Sequence, residues 1–362
     1  MLFLLACTAP GTGKDDTGSA PAVELPADCS GLPAQAGTSV SDADGVRAAL
    51  ADGASVVLLA DGTYDLTGGD ESSTLEIPAG VTLRSASGDA GAVVLEAGWA
   101  TADPVVLGPG ATLAEVTVAH GATDGVLIQG ASGARVYGVV VTDPGEAGIA
   151  VVPDGATYSD DVEIACSEVR FESECAVGID AVQADGTHLR DLTVDGCDEP
   201  SIRLATGSRG SVVERVFADS LSLGDTDYAS GDERIYADPE CDGVTMGHYG
   251  GDVRNVLLTG SMVLRETCGV TVEHVTVAGD LFWASTTDLT ITNSLANIVD
   301  SGGATLTSNL VPSDADFVST TDLHLAAGSA AIDAGVATDV TDDVDGDPRD
   351  AAPDVGGDEL GG

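Results

Sequence analysis

Residues 116–130 read VTVAHGATDGVLIQG, and residues 139–153 read VVVTDPGEAGIAVVP. The second stretch repeats the first at a distance of 23 residues, because Val116 returns as Val139 and Val126 returns as Ile149. Within each stretch, apolar residues two positions apart have the periodicity of a β-strand that buries one face. A strand template that recurs at a regular spacing indicates a repeat architecture.

The template continues through most of the chain as three apolar positions, the second lying three residues after the first and the third two residues later. Its copies are Leu113-Val116-Val118, Val136-Val139-Val141, Cys166-Val169-Phe171, Leu189-Leu192-Val194, Val213-Val216-Ala218, Val253-Val256-Leu258 and Val272-Val275-Val277, with weaker copies at Ile291-Ser294-Ala296 and Leu306-Asn309-Val311. In the first four copies, a second apolar pair begins ten residues after the middle position, as Val126/Ile128, Ile149/Val151, Ile179/Ala181 and Ile202/Leu204. Gly and Asp cluster between the pairs and indicate turns.

A single coil of such short strands cannot bury its own apolar face, so it must stack on a near copy of itself at about the 4.8 Å spacing of paired strands. On these repeats, residues 40–360 resemble the right-handed parallel β-helix family, the fold of pectate lyases and related carbohydrate-active proteins. We therefore predict an all-β, right-handed parallel β-helix solenoid of about ten coils with a short N-terminal capping helix.

The stretch SDADGVRAALADGASVVLLADGTYDL, residues 41–66, resembles the opening of such proteins. Ser41 and Asp44 have the spacing of a capping box, and the helix that follows carries Val46 and Leu50. This helix is expected to cover the open end of the first coil.

The closing sequences HLAAGSAAIDAG (324–335) and DVDGDPRDAAPDVGGDE (343–359) closely resemble the closing segment of many exported bacterial β-helix proteins. The chain departs from the family pattern at Ala330, where Pro is usual, and at Gly357, where Ala is usual.

The N-terminus reads MLFLLACTAP, which resembles the lipobox of bacterial lipoproteins with Cys7 as the lipidated residue. We predict a partial lipoprotein signal at 1–7, a flexible tether at 8–39, the β-helix at 40–312 and a closing or cap segment at 313–362. The expected location is the cell envelope or the extracellular space. Because no run of 18 apolar residues follows, we expect membrane attachment only through a lipid.

The chain is strongly acidic, with 60 Asp and Glu residues against 13 Lys and Arg residues and a net charge of −47. Such a surface repels nucleic acid, whose binding needs basic residues to replace counterions. It also repels anionic polymers unless a divalent cation bridges them. A solvated surface adapted to salty water and a surface that binds Ca²⁺ are both open interpretations.

Two coils are longer than the others, through residues 153–165 and 220–252. Long loops on a solenoid often form its binding site. Within them we single out Asp160, Asp161, His248 and Arg234 as candidate catalytic residues, and Tyr158, Tyr228, Tyr236 and Tyr249 as candidate sugar-stacking residues.

Two polysaccharide-cleaving chemistries are considered on the strength of the family resemblance. β-Elimination needs a base, and a lysine base is excluded because the only lysine, Lys14, precedes the repeats; Arg234, Arg254 or His248 remain. Glycoside hydrolysis needs two carboxyl groups across the scissile bond, and Asp160-Asp161 with Gly247-His248-Tyr249-Gly250 faintly resembles the aspartates and Gly-His-Gly segment of polygalacturonases.

The stretch TDDVDGDPR, residues 341–349, is a candidate Ca²⁺ site that uses Asp343, Asp345 and Asp347. It is not an EF-hand, because the position of the bidentate glutamate is occupied by Ala352. An Asp-Gly turn in the closing segment is the alternative interpretation.

The cysteines suggest disulfides in an exported chain. Cys175 and Cys197 occupy near-equivalent turns of consecutive coils and are predicted to form a disulfide, with Cys241 and Cys268 as a second pair. Cys166 is expected to be a buried free thiol, and Cys29 has no evident partner in the sequence.

Together these observations predict an exported cell-surface protein that binds polysaccharide, with cleavage an open question. Ca²⁺ is the one cofactor considered, and a monomer is expected. The alternative is a non-catalytic structural or adhesive surface protein, since the fold by itself does not define a reaction.

Overall fold

A computed structural model describes residues 25–26, 28–68, 73–172, 177–195, 200–205, 207–224, 241, 247–299 and 302–360. Within these residues, 26 strands pair into one continuous sheet that winds around a single apolar core. The pairing between successive coils is parallel. The right-handed parallel β-helix that the repeats predict is the fold of the chain.

The strands form three stacks, each running along one side of the helix. The first stack contains β1 (Thr38–Val40), β2 (Val56–Leu59), β5 (Thr82–Ser85), β8 (Thr112–Ala114), β11 (Arg135–Tyr137), β14 (Glu163–Ala165), β24 (Leu289–Thr292) and β26 (Ala304–Thr307). The second contains β3 (Gly62–Asp65), β6 (Val93–Glu96), β9 (Thr117–Ala119), β12 (Val140–Thr142), β15 (Glu168–Arg170) and β25 (Leu295–Val299). The third contains β4 (Leu75–Ile77), β7 (Val105–Leu107), β10 (Asp124–Gln129), β13 (Ala147–Val152), β16 (Val177–Val182), β18 (Ile202–Ala205), β20 (Leu221–Leu223) and β22 (Met262–Arg265).

Besides β25, which continues from the second stack into the third, four longer strands turn a corner of the helix without interruption. Three of them pass from the first stack into the second, namely β17 (His188–Val194), β19 (Ser208–Ala218) and β21 (His248–Leu258). The fourth, β23 (Thr267–Ala284), contributes to all three stacks. Short 3-10 turns occur at Ala90–Ala92 and Asp314–Asp316.

The apolar template positions face the interior. Val139 and Val275 are fully buried, and Leu192 is only 3% exposed. The second apolar pair also stacks in register, because Val126 pairs with Ile149, which pairs in turn with Ile179. The regular spacing in the sequence therefore corresponds to equivalent positions in successive coils.

The third copy of the template begins two residues earlier than predicted. Val136 pairs with Ile164 and Val141 pairs with Val169, so the third copy is Ile164-Ser167-Val169 and not Cys166-Val169-Phe171. Ser167 is buried at the middle position, where its hydroxyl accepts a hydrogen bond from the N–H of Val139 and donates one to the carbonyl of Ala165. A polar residue can replace an apolar one there because its hydrogen bonds are satisfied.

The last copy of the template is not buried as predicted. Leu306 is 42% exposed and Val311 is 72% exposed. Among the described residues no strand pairs with the far edge of β26, so nothing covers these side chains from that side.

A capping helix, α1 (Ala43–Ala51), covers the first coil as expected. Val46 is fully buried in the main core, and Leu50 packs against it. The residue that caps the helix is Asp42 and not Ser41, because the Asp42 carboxylate accepts a hydrogen bond from the N–H of Gly45 at 2.7 Å.

The closing segment covers a side of the β-helix. Phe317, Leu323 and Leu325 pack against Leu257 and Leu295 on the outer face of the second stack, forming a small second core.

A buried arginine in the closing segment anchors it to the coils. The Arg349 guanidinium donates hydrogen bonds to the carbonyls of Gly356 and Gly357 and to the side chain of Asn255 on β21, each at 3.0 Å. It also forms an ion pair with Glu359 at 3.1 Å. These contacts give a physical reason for the arginine in the DGDPR stretch.

The N-terminal segment runs along the corner between the first and second stacks. Cys29 in this segment forms a disulfide with Cys166, with Cα atoms 5.5 Å apart. The prediction of a buried free thiol at Cys166 is therefore wrong. Cys166 has a φ of 53° and lies in the turn after β14, where its side chain can meet the crossing segment.

Nearby, a buried ion pair between Arg84 and Glu115 at 2.6 Å contributes to the same contact. Glu115 also accepts a hydrogen bond from the N–H of Leu32 at 2.9 Å. The N-terminal segment is thus held to the corner by a charge-assisted hydrogen bond as well as by the disulfide.

The predicted disulfide between Cys241 and Cys268 is present, with Cα atoms 5.8 Å apart. Cys7, Cys175 and Cys197 lie outside the described residues, so their predicted roles stay predictions.

The close packing around Gly178 allows the register between coils to be tested. A Cβ atom at Gly178 would collide with the Val194 side chain and lie 2.6 Å from the carbonyl oxygen of Ser201. We expect Gly178→Ala to lower the free energy of unfolding by about 1–3 kcal/mol, the usual cost of overpacking. The control is Gly328→Ala, because no atom lies within 4 Å of a Cβ at that position. Thermal unfolding followed by circular dichroism should separate the two variants, and equal melting temperatures would contradict the register.

The disulfides can be checked by peptide mapping of the unreduced protein. We expect one linked peptide pair containing Cys29 and Cys166 and another containing Cys241 and Cys268. Replacing Cys29 by Ser should free the Cys166 thiol and lower the free energy of unfolding by about 2–4 kcal/mol. Quantitative alkylation of Cys166 in the native, unreduced protein would show that the corner disulfide is absent.

Candidate functional site

Three of the predicted site residues lie in the turn between β13 and β14, at the corner from the third stack to the first. Asp160 accepts a hydrogen bond from the N–H of Asp185 at 3.0 Å. Asp161 is exposed and has a φ of 55°, and its carbonyl accepts a hydrogen bond from Arg135 at 2.5 Å. The carbonyl of Tyr158 accepts a hydrogen bond from the Ser132 hydroxyl at 3.0 Å. The backbones of Tyr158 and Asp161 thus help to order the turn.

His248 and Tyr249 lie on the same corner but three coils further along the axis. A backbone ladder joins Asp161 to Asp185, Gly186 to Arg209, and Arg209 to Tyr249. At about 4.8 Å per coil, the backbones at the two ends of this ladder are roughly 14 Å apart. The structure therefore does not bring Asp160 and Asp161 to His248 around one scissile bond, which requires catalytic carboxyl groups about 5–10 Å apart.

The His248 side chain is fully buried inside the coil stack, in register with Ser208 and Thr267. Neither ring nitrogen has a hydrogen-bond partner among the described residues. Loss of solvent around the ring lowers the pKa of His248 to about 4, so the imidazole is neutral at pH 7. This position favours a packing role over catalysis.

Tyr249 is 3% exposed and packs against Cys241 and Cys268, the two residues of the second disulfide. The predicted sugar-stacking tyrosine is thus covered in the described structure. Tyr228, Tyr236 and Arg234 lie outside the described residues.

Arg254, the remaining candidate base, lies on the first stack and forms an ion pair with Glu214 at 2.6 Å. Burial opposes ionisation of Glu214, but hydrogen bonds from His188 and Arg254 and the charge of Arg215 lower its pKa to about 2. A guanidinium held by an ionised carboxylate is a poor proton acceptor, so this cluster is better suited to stabilising the coils.

Asp343 in the predicted Ca²⁺ stretch is almost fully buried. One of its carboxylate oxygens accepts hydrogen bonds from the N–H groups of Asp345 and Asp347, and the other accepts one from Glu359. The Asp343 carboxylate therefore orders the loop by accepting hydrogen bonds from its backbone N–H groups. Ca²⁺ binding by the three aspartates stays a prediction.

A different set of polar residues lies on the outer face of the third stack. In β16, Asp180 points outward between the buried residues Ile179 and Ala181, and it pairs in register with Arg203 on β18. The Arg203 guanidinium donates two hydrogen bonds to the Asp180 carboxylate, at 2.8 and 2.6 Å. Such a bidentate pair holds both side chains in fixed positions on the outer surface.

Asp124, at the start of β10, is surrounded by other carboxylates. Its N–H donates a hydrogen bond to Asp103 at 3.2 Å. Burial, together with the negative charges of Asp103, Glu146 and Asp180, raises the pKa of Asp124 to about 7. This carboxyl group can therefore gain and lose a proton near neutral pH.

We refer to Asp103, Asp124, Glu146, Asp180 and Arg203 as the third-stack cluster. Sequence reasoning missed it because the template was followed only through its inward residues. A signal was nevertheless present, since a charged residue stands between the two members of an inward pair at Asp180 and again at Arg203.

The fold of the chain is a pectate-lyase-like parallel β-helix. Among solved structures, the chain is similar to the crystal structure of pectate lyase Pel9A, with 14% sequence identity and a TM-score of 0.62 over 84% of this chain and 88% of that one. An alginate lyase from Paenibacillus sp. str. FPU-7 also matches, at 12% identity and a TM-score of 0.46 over 75% of this chain and 98% of that one.

No protein-family model matches the chain, and no curated protein does. At these levels of identity, the similarities establish the fold alone.

The two disulfides indicate an extracellular or secreted protein, because such bonds persist in oxidising compartments. Within the described residues, no helix has the length and apolar character needed to cross a bilayer.

The pKa of Asp124 can be tested through the pH dependence of stability. Its folded-state pKa of about 7 lies above the ordinary value of 3.8, so its contribution to stability is fully present below about pH 4 and is lost as the pH rises through about 7. We expect Asp124→Asn to have the same free energy of unfolding as the parent protein near pH 4. Towards pH 7 the variant should become progressively more stable than the parent, by about 4 kcal/mol at most.

Urea unfolding of both proteins at pH 4, 5, 6, 7 and 8 would measure this difference. The control is Asp314→Asn, which removes a negative charge from an exposed residue in the closing segment. A pH-independent difference between Asp124→Asn and the parent protein would contradict a raised pKa.

Proposed function

We propose that this protein binds polysaccharide along the outer face of the third stack and cleaves it with Asp124 as the proton-transferring residue. The observation that carries the proposal is the Asp124 carboxyl group, whose pKa of about 7 suits it to both donate and accept a proton near neutral pH. The similarity to a pectate lyase fold supports the substrate class by analogy.

The second carboxyl group of the cluster has a different environment. Asp180 is held in place by two hydrogen bonds from the Arg203 guanidinium. In this proposal Asp124 supplies the proton, and Asp180 with Arg203 binds and orients the glycan.

The outward residues of the third stack form a continuous line along the axis of the β-helix, in which Ala150, Asp180 and Ser222 are largely buried. They follow one another in register from Leu127 through Ala150 to Asp180 and Arg203, and then to Ser222, Val263 and Phe282. Phe282 is partly exposed and could pack against the apolar face of a sugar. A continuous strip of this kind suits a linear polymer better than a compact small molecule.

The charge of the cluster favours one class of glycan. Asp103, Asp124, Glu146 and Asp180 form an acidic surface with Arg203 as its cation. A neutral polysaccharide meets no charge repulsion there, whereas a polyuronate would need a bridging divalent cation such as Ca²⁺. We therefore propose a neutral glycan as the ligand, with uronates bound only when Ca²⁺ is present.

Attachment of the protein to the cell envelope through a lipid on Cys7 is part of the same proposal. It rests on the lipobox-like N-terminal sequence and on the disulfides, which place the folded domain in an oxidising compartment.

The test is a panel of neutral and uronate polysaccharides, each with and without Ca²⁺, measured for binding by affinity electrophoresis and for cleavage by release of reducing ends. Asp124→Asn should retain binding and lose cleavage by about 100-fold or more, the range expected for a general acid or base. Arg203→Ala should weaken binding.

The matched control is Arg209→Ala. Arg209 also forms an ion pair with an aspartate, Asp185 at 3.2 Å, but it lies at the corner between the third stack and the first. Equal loss of binding in both arginine variants would argue against the third stack as the site. Binding without cleavage of any glycan would favour the alternative of a non-catalytic adhesive protein.

A further inference from the structure

The closing segment contains a second cluster of titratable groups, separate from the third stack. His324 lies in the turn after Asp322, and its imidazole contacts two carboxylates: Nδ1 lies 2.5 Å from Asp322 and Nε2 lies 3.1 Å from Asp345. One ligand atom each from His324, Asp345 and Asp358 can be chosen so that all three lie within 4.8 Å of one another. The three residues come from two stretches that are distant in sequence.

The orientation of the imidazole leaves one nitrogen in need of a positive partner. Asp322 accepts a hydrogen bond from Nδ1–H, which fixes the neutral ring in the tautomer that has its lone pair on Nε2. That lone pair then faces an Asp345 oxygen at 3.1 Å, and two acceptors repel each other at this distance. Either a proton on Nε2 or a metal ion between the ligands removes the repulsion.

Asp358 favours the metal ion. Its side chain is only 6% exposed, and one carboxylate oxygen accepts a hydrogen bond from the N–H of Leu325 at 2.6 Å. A single imidazolium proton can be shared with Asp345 or with Asp358, but one metal ion can bind both carboxylates and the nitrogen together. A ligating histidine whose other nitrogen is held by a carboxylate is also the usual arrangement around bound Zn²⁺.

We propose that His324, Asp345 and Asp358 bind one divalent transition-metal ion, of which Zn²⁺ is the best match, with Asp322 as a positioning residue. One nitrogen and two carboxylate oxygens suit Zn²⁺, which commonly has three protein ligands and an open position. Ca²⁺ prefers six to eight oxygen ligands and is disfavoured by the imidazole. This ligand set differs from the Asp343, Asp345 and Asp347 set that the sequence suggests, and it does not depend on the proposed glycan site.

The metal ion would join the two halves of the closing segment. His324 belongs to the stretch that packs Leu323 and Leu325 onto the second stack, whereas Asp345 and Asp358 belong to the loop around Arg349. Because binding to the folded state alone stabilises that state, Zn²⁺ should raise the melting temperature by an amount that grows with the logarithm of its concentration relative to its Kd.

The test uses the full chain after treatment with a chelator, followed by isothermal titration with Zn²⁺ and thermal unfolding with and without it. We expect one site that Ca²⁺ at the same concentration does not occupy. His324→Gln and Asp345→Asn should each weaken Zn²⁺ binding at least tenfold and abolish the rise in melting temperature. The Asp345 side chain is 59% exposed, so its replacement leaves the packing of the closing segment unchanged.

The matched control is His120→Gln. His120 has nearly the same side-chain exposure as His324, 34% against 36%, but contacts one carboxylate, Glu96, at 2.8 Å. This variant should bind Zn²⁺ as the parent protein does. The proposal is overturned if no Zn²⁺ binds at micromolar concentration. In that case the His324 imidazole carries a proton on Nε2 that it donates to Asp345. Binding that is equally strong in Asp345→Asn would also overturn it, because the ion would then sit elsewhere on the acidic surface.

Discussion

The whole structure depends on the stacking of one coil on the next. Each coil contributes a few small apolar side chains to the interior, such as Val139 and Leu192, and these are buried only because an equivalent side chain lies about 4.8 Å above and below. The same stacking pairs the backbones of the described strands with those of the neighbouring coils. A chain with 4% aromatic residues can build a continuous core in this way, because no large side chain is needed to fill the space. The outer faces are then free to vary, and the third-stack cluster occupies one of them.

Stacking also explains what the sequence could and could not predict. The interior positions recur at regular intervals, so Val126, Ile149 and Ile179 could be aligned from the sequence alone and are observed in register. The one misaligned copy failed where Ser167 replaces an apolar residue, since a hydroxyl with satisfied hydrogen bonds carries no apolar signal.

The functional residues were harder to predict because an outer face has no periodic requirement. Long loops were therefore the basis for predicting site residues. His248 was predicted on this basis, but its side chain is fully buried, and the neighbouring Tyr249 is buried as well. The Cys29–Cys166 disulfide was missed for a related reason. It joins a segment outside the repeats to a turn within them, over a sequence separation of 137 residues, and no coil-to-coil spacing relates the two.

The segments that precede and follow the repeats lie along the same corner of the β-helix, and this has a consequence for how the molecule unfolds. A simple solenoid is coupled only between neighbours, so its ends can fray one coil at a time. Here the Cys29–Cys166 bond ties the segment ahead of the first coil to the coil of β14. The closing segment contacts Arg215 on β19 through Asp342 and Asn293 after β24 through Val336. Each half of the rod is thus clamped lengthwise across several coils, and we expect it to open as a cooperative block in hydrogen exchange instead of fraying progressively.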